Sequence, residues 1–465
     1  MPGNIEKVLI IGLDCAEPSL VFAKWRAHLP NLARLMEQGA WTTMNSTTPP
    51  ITVPAWSCMM SSKDPGTLGI YGFRNRKDFT YAGLTFATST AVKEPRLWDI
   101  LGKAGKQSIV IGVPGTFPVT PVRGAMVSCF LTPDPATSQY TFPANLRDEI
   151  DAVLGKNQYM VDVSDYRTEN KQAVLDEIYQ MTDRRFQLAK HWVKTKPWDF
   201  FMLVEMGVDR IHHAFWRYFD PEHRKYEPGP FTNAIRDYYT HVDKLIGELV
   251  AELPAKTAVL VVSDHGGKRI DGGIAVNEWL IREGYLVLSE YPKSPAPLAK
   301  LKVDWTKTKV WSEGGYYARV FINRQGREPQ GIVSPAEYEP LRDELIRKLE
   351  ALGDETGKAI GTKVFRPEQI YKKCNAIPPD LVTIFGNLYW RSIGSVGYNA
   401  VHVFENDTGP DDANHAQDAM FMLSGPGIPA GQIAPIDLLD VAPTVLKLLG
   451  QPIPADMQGR AVVGV

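Results

Sequence analysis

Cysteine is scarce: there are four in 465 residues, Cys15, Cys58, Cys129 and Cys374, and no CxxC pair among them. That excludes a disulfide framework and a paired-cysteine metal or redox site, and leaves buried, reduced thiols as the expectation. Neither sign of charge dominates, since 51 Lys+Arg against 53 Asp+Glu give a net charge of −2. A molecule-wide basic field of the kind that holds duplex nucleic acid or an anionic membrane is therefore absent. Long apolar runs are missing too. The run Val8–Leu13 is far too short to span a bilayer, and Asp14 follows it at once. No membrane span is expected, and the default compartment is the cytoplasm. There is no internal repeat and no low-complexity tail. What remains is ordinary globular composition, 44% hydrophobic and 22% charged. A chain of this length makes about three domains, or one large α/β domain with insertions.

Short β-branched runs alternate with amphipathic stretches. Val8–Leu13, Ser108–Val113, Phe200–Glu205, Ala258–Val262, Leu381–Phe385 and Met420–Leu423 read as strands buried on both faces, the mark of a parallel sheet covered by helices. Pro30–Gly39, Glu169–Lys194, Asn233–Leu253 and Asp437–Gly450 read as helices, and strand–helix alternation over this length predicts an open α/β fold. Two regions break the rhythm. One is 117–166, rich in Pro, Thr and Asp. The other is 285–373, with a predicted hairpin around Gly314–Gly315 and a helix over Glu337–Gly353. The expected division is a core of 1–116, 167–284 and 374–465, an insertion at 117–166 and a cap at 285–373.

Acids and histidines fall where such a sheet puts its ligands, beyond the carboxyl ends of the strands. Asp14 follows the first run directly. Asp264 and His265, in VVSDHGG, follow another. Asp209 and His213, in EMGVDRIHHAFW, follow a third by a few residues and share a helix face at i, i+4. His415, in ANHAQDAMFML, precedes the last run and reaches the same edge if that strand is an antiparallel one at the sheet margin. A lone acid at a strand end is commonly a cap or turn residue. Convergence of these six on one edge points instead to a metal site. His212, one residue before His213, faces about 100° away and is left outside.

Thr52 opens another element, TVPAWSCMM, with Pro54 in its first turn. As a helix start this makes Thr52 an N-cap. The same geometry offers free N–H groups and a positive dipole end to a phosphate, beside a hydroxyl able to attack phosphorus.

Taken together, IIGLDCA, TVPAW with the downstream DPGTLGIYGF, DRIHHAFW, VVSDHGG, NHAQDAMFMLSGPGI and LLDVAPTVLKLLG resemble the alkaline phosphatase superfamily, specifically its type I phosphodiesterase/nucleotide pyrophosphatase-like branch. The motifs occur in the expected order over most of the core and leave out both irregular regions. The resemblance implies a three-layer α/β/α sandwich with a large, mostly parallel sheet and inserted cap segments. It implies a two-metal phosphoesterase in which Asp209, His213 and His415 hold one ion and Asp14, Asp264 and His265 the other. Thr52 would sit at the second ion as the nucleophile and be phosphorylated transiently. An Asp/His donor set without cysteine suits Zn²⁺, with Mn²⁺ or Fe as alternatives.

Two departures from the family pattern matter. The sulfatase motif C/S-x-P-S-R is replaced by Thr52-Val53-Pro54-Ala55-Trp56, which favours phosphoryl over sulfuryl transfer. The asparagine with which nucleotide-cleaving relatives hold a phosphoryl oxygen corresponds in spacing to Phe73, leaving Arg74 and Asn75 as candidate substrate contacts. A small phosphorylated substrate is expected, a diester first and a monoester second. Phosphoryl transfer to an alcohol and phosphonate hydrolysis are the alternatives on the same scaffold. A non-enzymatic phosphate-binding scaffold would lack ligands, and none of the seven positions is missing.

Overall fold

The structure is a computed structural model that describes residues 5–81 and 83–462. Its strands form where a segment has no solvent face. Phe200–Glu205 and Thr257–Val262 are buried at every position, so their backbone polar groups must pair laterally. Lys7–Leu13 lies between them, parallel to both. Ser108–Ile111 and Gly124–Val127 extend the parallel run on one side, and Thr141–Phe142 ends it antiparallel. On the other side Asp418–Ser424 runs antiparallel between Thr257–Val262 and Gly39–Asn45. Short strands at Gly431–Gln432 and Ile436–Asp437 flank Gly39–Asn45, completing a ten-stranded, mostly parallel sheet.

Helices Pro30–Gln38, Lys171–Thr195 and Ala234–Ala251 pack with one another on one face. Thr52–Ser61, Leu97–Lys103 and Val441–Leu448 pack with one another on the other, giving three α/β/α layers. One contiguous apolar core fills both interfaces. Helix Thr52–Ser61 comes unusually close to the sheet, because a Cβ on Gly12 would lie 2.5 Å from the Trp56 ring. Glycine at that strand position admits the indole.

Several expectations change. The antiparallel last strand is not at the margin: Gly39–Asn45 lies outside it. Leu381–Ile384 is not in the main sheet at all. It joins Ala318–Ile322, Val310–Glu313 and Lys363–Phe365 in a separate four-stranded antiparallel sheet. Burial on both faces made it look like a core strand; here the burial comes from a second apolar core, built from residues between Ile274 and Val401 and so wider than 285–373. Within 117–166, Gly124–Val127 is a strand of the main sheet rather than of an insertion. Cys15, Cys58 and Cys129 are buried as expected, whereas Cys374 is exposed. Among the described residues no helix is long and apolar enough to cross a membrane.

Candidate functional site

Parallel register sets Gly12 level with both Val204 and Val262. The residues just beyond therefore leave the sheet at one edge: Asp14, Asp264 with His265, and the helix Gly207–Phe219 that carries Asp209 and His213. His415 arrives from the opposite direction. It lies on Ala413–Ala416, paired antiparallel with Gly266–Arg269 so that His415 faces Gly267. That pairing stacks the His265 and His415 rings with centroids 3.7 Å apart.

The metal-ligating atoms form two overlapping groups. Asp209, His213 and His415 offer atoms within 4.8 Å of one another, and so do Asp14, Asp209 and His265. Asp264 adjoins the second group, its Oδ2 lying 3.1 Å from His265 Nε2. Asp209 thus reaches both groups, where the resemblance implied a clean division into two sets of three. The Thr52 hydroxyl lies 3.3 Å from His265 Nε2. Thr52 is the first residue of its helix; Ile51 occupies the capping position, and no side chain caps the helix end. Its hydroxyl is free of the N-cap role and turned into the site. All seven residues are buried.

These side chains fit a pair of cations. Asp14 Oδ1, Asp209 Oδ1 and Asp264 Oδ2 are buried without a hydrogen-bond partner. Each histidine uses Nδ1 outward: His265 to the carbonyl of Gly266 at 3.1 Å, His415 to the carbonyl of Pro50 at 2.9 Å and His213 to Asp411 at 2.6 Å. A carbonyl accepts only, so Nδ1 carries the proton in His265 and His415 and Nε2 presents a lone pair inward. Carboxylate oxygens and imidazole lone pairs buried this close together are strongly unfavourable unless protons or cations lie between them.

The electrostatics agree. Burial, then the neighbouring carboxylates, pushes the Asp14 and Asp264 carboxyls well up. Burial pulls His265 down to about 4, and burial with His265 beside it pulls His415 well down. Burial opposes charge on His213 and Asp209 too, yet His213 is held well up by Asp411 and Asp209, and Asp209 well down by His213 and Arg210. Without a cation, His213 supplies the positive charge that the acids demand.

A supporting layer fixes these groups, and most of it has no sequence signature. Asp411 accepts from His213, from Arg167 Nη2 at 3.0 Å and from Arg391 Nη1 at 3.1 Å. Trp56 Nε1 donates to Asp14 Oδ2 at 2.7 Å, which the cleft over Gly12 makes possible. Arg210 bridges Asp209 to Asp162. Asp411 sits four residues before His415, but nothing in a lone acid there marks it as the partner of a ring nearly two hundred residues upstream.

Arg74 and Asn75 do not join the site. They lie on a small hairpin, Arg74–Arg76 with Leu84–Phe86. The Asn75 amide is used within its own turn, accepting from Tyr71 N–H and donating to the Gly72 carbonyl. Arg74 is exposed and lies over the Phe86 ring. His212, set aside on its helical angle, does stay outside both ligand groups and hydrogen-bonds Tyr239.

A mostly parallel sheet that delivers paired carboxylate–imidazole clusters and a helix-terminal hydroxyl to one edge is the framework of a metal-dependent hydrolase. The chain belongs to the type I phosphodiesterase / nucleotide pyrophosphatase family, whose profile matches residues 8–411. It is a phosphohydrolase of phosphodiesterase type, and the family is metal-dependent. Its fold is similar to that of human ectonucleotide pyrophosphatase / phosphodiesterase 5, with 14% identity, a TM-score of 0.56, and coverage of 98% of this chain and 97% of that one. The murine protein of the same name gives 14% identity, a TM-score of 0.54 and 96% coverage of each chain. No curated protein sequence matches the chain.

Proposed function

We propose that the chain hydrolyses a small phosphodiester through a phosphothreonine at Thr52. The observation that carries this is the Thr52 hydroxyl, free of any capping role and 3.3 Å from His265 Nε2, facing carboxylate oxygens that lack partners. In the first step Thr52 Oγ bonds to phosphorus as the bond to the leaving alcohol breaks. The proton that Thr52 gives up passes through water to the departing alkoxide, which leaves as the alcohol. In the second step water displaces Thr52, releasing the monoester. Asp209, His213 and His415 would hold one divalent ion, and Asp14, Asp264 and His265 the other, with Asp209 within reach of both. Zn²⁺ suits this nitrogen and oxygen set best, with Mn²⁺ or Fe as alternatives. When bound, the ions lower the pKa of the attacking hydroxyl and neutralise phosphoryl oxygens. Helix Thr52–Ser61 starts at the nucleophile with no side-chain cap, so its positive dipole end lies beside the attacking hydroxyl.

The family supports a diester. The guanidinium groups nearby, Arg167, Arg210 and Arg391, are already paired with Asp411, Asp162 and Asp209. None is free to take the second charge of a monoester. The alternatives, transfer to an alcohol acceptor or phosphonate cleavage, would use the same groups. Cytoplasmic residence fits four unpaired thiols. The test is a screen of the metal-loaded chain and Thr52→Ala against diesters, monoesters, nucleotide pyrophosphates, phosphonates and sulfate esters, with and without added alcohol. Diester hydrolysis lost in Thr52→Ala supports the proposal. Hydrolysis at the unaltered rate by Thr52→Ala overturns it.

A further inference from the structure

One polar group enters this centre from the hairpin of the four-stranded sheet and has no role in the scheme above. Tyr316 follows the hairpin strand Val310–Glu313, and its side chain reaches across to the main sheet's edge. Its ring lies on His415 with centroids 4.0 Å apart, and its hydroxyl ends 3.5 Å from His213 Nε2. Arg167 Nη2 donates to that hydroxyl at 3.3 Å. Arg167 therefore occupies a lone pair and leaves the phenolic hydrogen to be donated elsewhere. Its other polar neighbour is His213 Nε2, 3.5 Å away, which is protonated without a cation and would be a ligand with one, so it accepts in neither state and the phenolic hydrogen has no acceptor among the described residues.

The backbone is built to hold the tyrosine there. Gly315 exchanges hydrogen bonds with Ser392 in both directions, at 2.9 and 3.0 Å. A Cβ on Gly314 would lie 2.3 Å from the backbone nitrogen of Gly394, so only glycine lets this strap lie flat against Trp390–Ile393. From the other side Asn414, next to His415, donates to the Tyr316 carbonyl at 3.4 Å. A core tyrosine would also find a partner for its oxygen, but it would not need to present its hydroxyl beside a metal-ligating ring.

We propose that Tyr316 is a substrate-contacting residue whose hydroxyl donates a hydrogen bond to a non-bridging phosphoryl oxygen of the ester at the Asp209–His213–His415 end of the site. This rests on the phosphodiesterase reading. It makes the hairpin of the four-stranded sheet a contributor to the chemistry.

The test uses the metal-loaded full chain, with bis(para-nitrophenyl) phosphate as substrate and inorganic phosphate as competing ligand. Tyr316→Phe keeps the ring on His415 and removes only the donor. It is expected to lower kcat/KM about ten- to a hundredfold and to weaken inhibition by phosphate by a similar factor. Metal content and metal affinity should stay as in the unaltered chain. Gly314→Ala, which displaces the strap without touching the site, is expected to fall at least as far with its metal retained. Unchanged kcat/KM and phosphate inhibition in Tyr316→Phe overturn the proposal. So does loss of metal from Tyr316→Phe, which would make the residue a ligand. Thr52→Ala separates the two readings: it removes turnover while leaving phosphate binding, on which Tyr316→Phe still reads. An unaltered chain that hydrolyses no ester defeats the phosphodiesterase reading itself, and this one with it.

Discussion

Asp411→Asn is the sharpest probe of the supporting layer. The change keeps shape and volume but replaces one acceptor oxygen by a donor. In the structure Oδ1 accepts from His213 Nδ1, while Oδ2 accepts from both Arg167 and Arg391, all at a fully buried carboxylate. An asparagine cannot satisfy both sides. With its NH₂ toward His213, the imidazole must accept at Nδ1, and the proton moves to Nε2, the atom meant for a cation. With its NH₂ toward the arginines, three charge-assisted bonds, from Arg167 Nε and Nη2 and from Arg391 Nη1, are lost and two guanidinium groups are left without their carboxylate oxygen. Either arrangement forfeits at least one hydrogen bond to a charged group, about 1.5–3 kcal/mol. That corresponds to roughly ten- to a hundredfold weaker binding at one of two ions, the range found for such outer partners. Competition against a chromophoric chelator reads both sites separately. One should weaken by that factor and the other should hold. Two sites of unaltered affinity in Asp411→Asn would refute the assignment of His213 as an Asp411-oriented ligand.

Four further outcomes are expected. His213 is held protonated in the ion-free chain by Asp411 and Asp209, so ion binding should release a proton and apparent affinity should rise with pH; calorimetry in buffers of different ionisation enthalpy checks this, and no proton release counts against it. Gly12→Ala should destabilise by about 1–3 kcal/mol through overpacking against Trp56, read by denaturant melts, and should weaken ion binding as the indole leaves Asp14. His223 is buried and neutral, accepting from Lys225 N–H and donating to the Asp412 carbonyl, and burial pulls it from 6.5 to about 4. Its contribution is complete above the unfolded value of 6.5 and is lost as pH falls toward 4, about 2 kcal/mol between pH 7.5 and 5, so His223→Gln should show a flatter loss of stability over that interval. Dialysis against chelator should abolish hydrolysis, and Zn²⁺ should restore it.

How much of this was readable in the amino-acid order depends on what each residue touches. Asp14, Asp264 and His265 directly follow apolar runs, and Asp209 and His213 share one turn of a helix, so local pattern places all five. His415 needed the direction of one strand. Asp411, Trp56 and Tyr316 act through neighbours from 42 to 198 positions away, and no period or propensity encodes such pairs. Leu381–Ile384 shows the complementary limit. An apolar run reports that both its faces are covered, not which core covers them. Asn75 shows a third: the right residue type near the right spacing, with its amide already engaged by its own turn.

The place of Asp418–Ser424 between Gly39–Asn45 and Thr257–Val262 bears on biosynthesis. Asp14 emerges from the ribosome about 400 residues ahead of His415, roughly 20–80 s at ordinary translation rates of about 5–20 residues per second. For about the last 150 residues of that interval, once Thr257–Val262 is complete, two strands wait with an unzipped flank each, and throughout it the ion-binding constellation is short of an imidazole. Nascent chains should therefore be hydrolytically silent and prone to self-association, and recruitment of a chaperone should end once this late strand slots home.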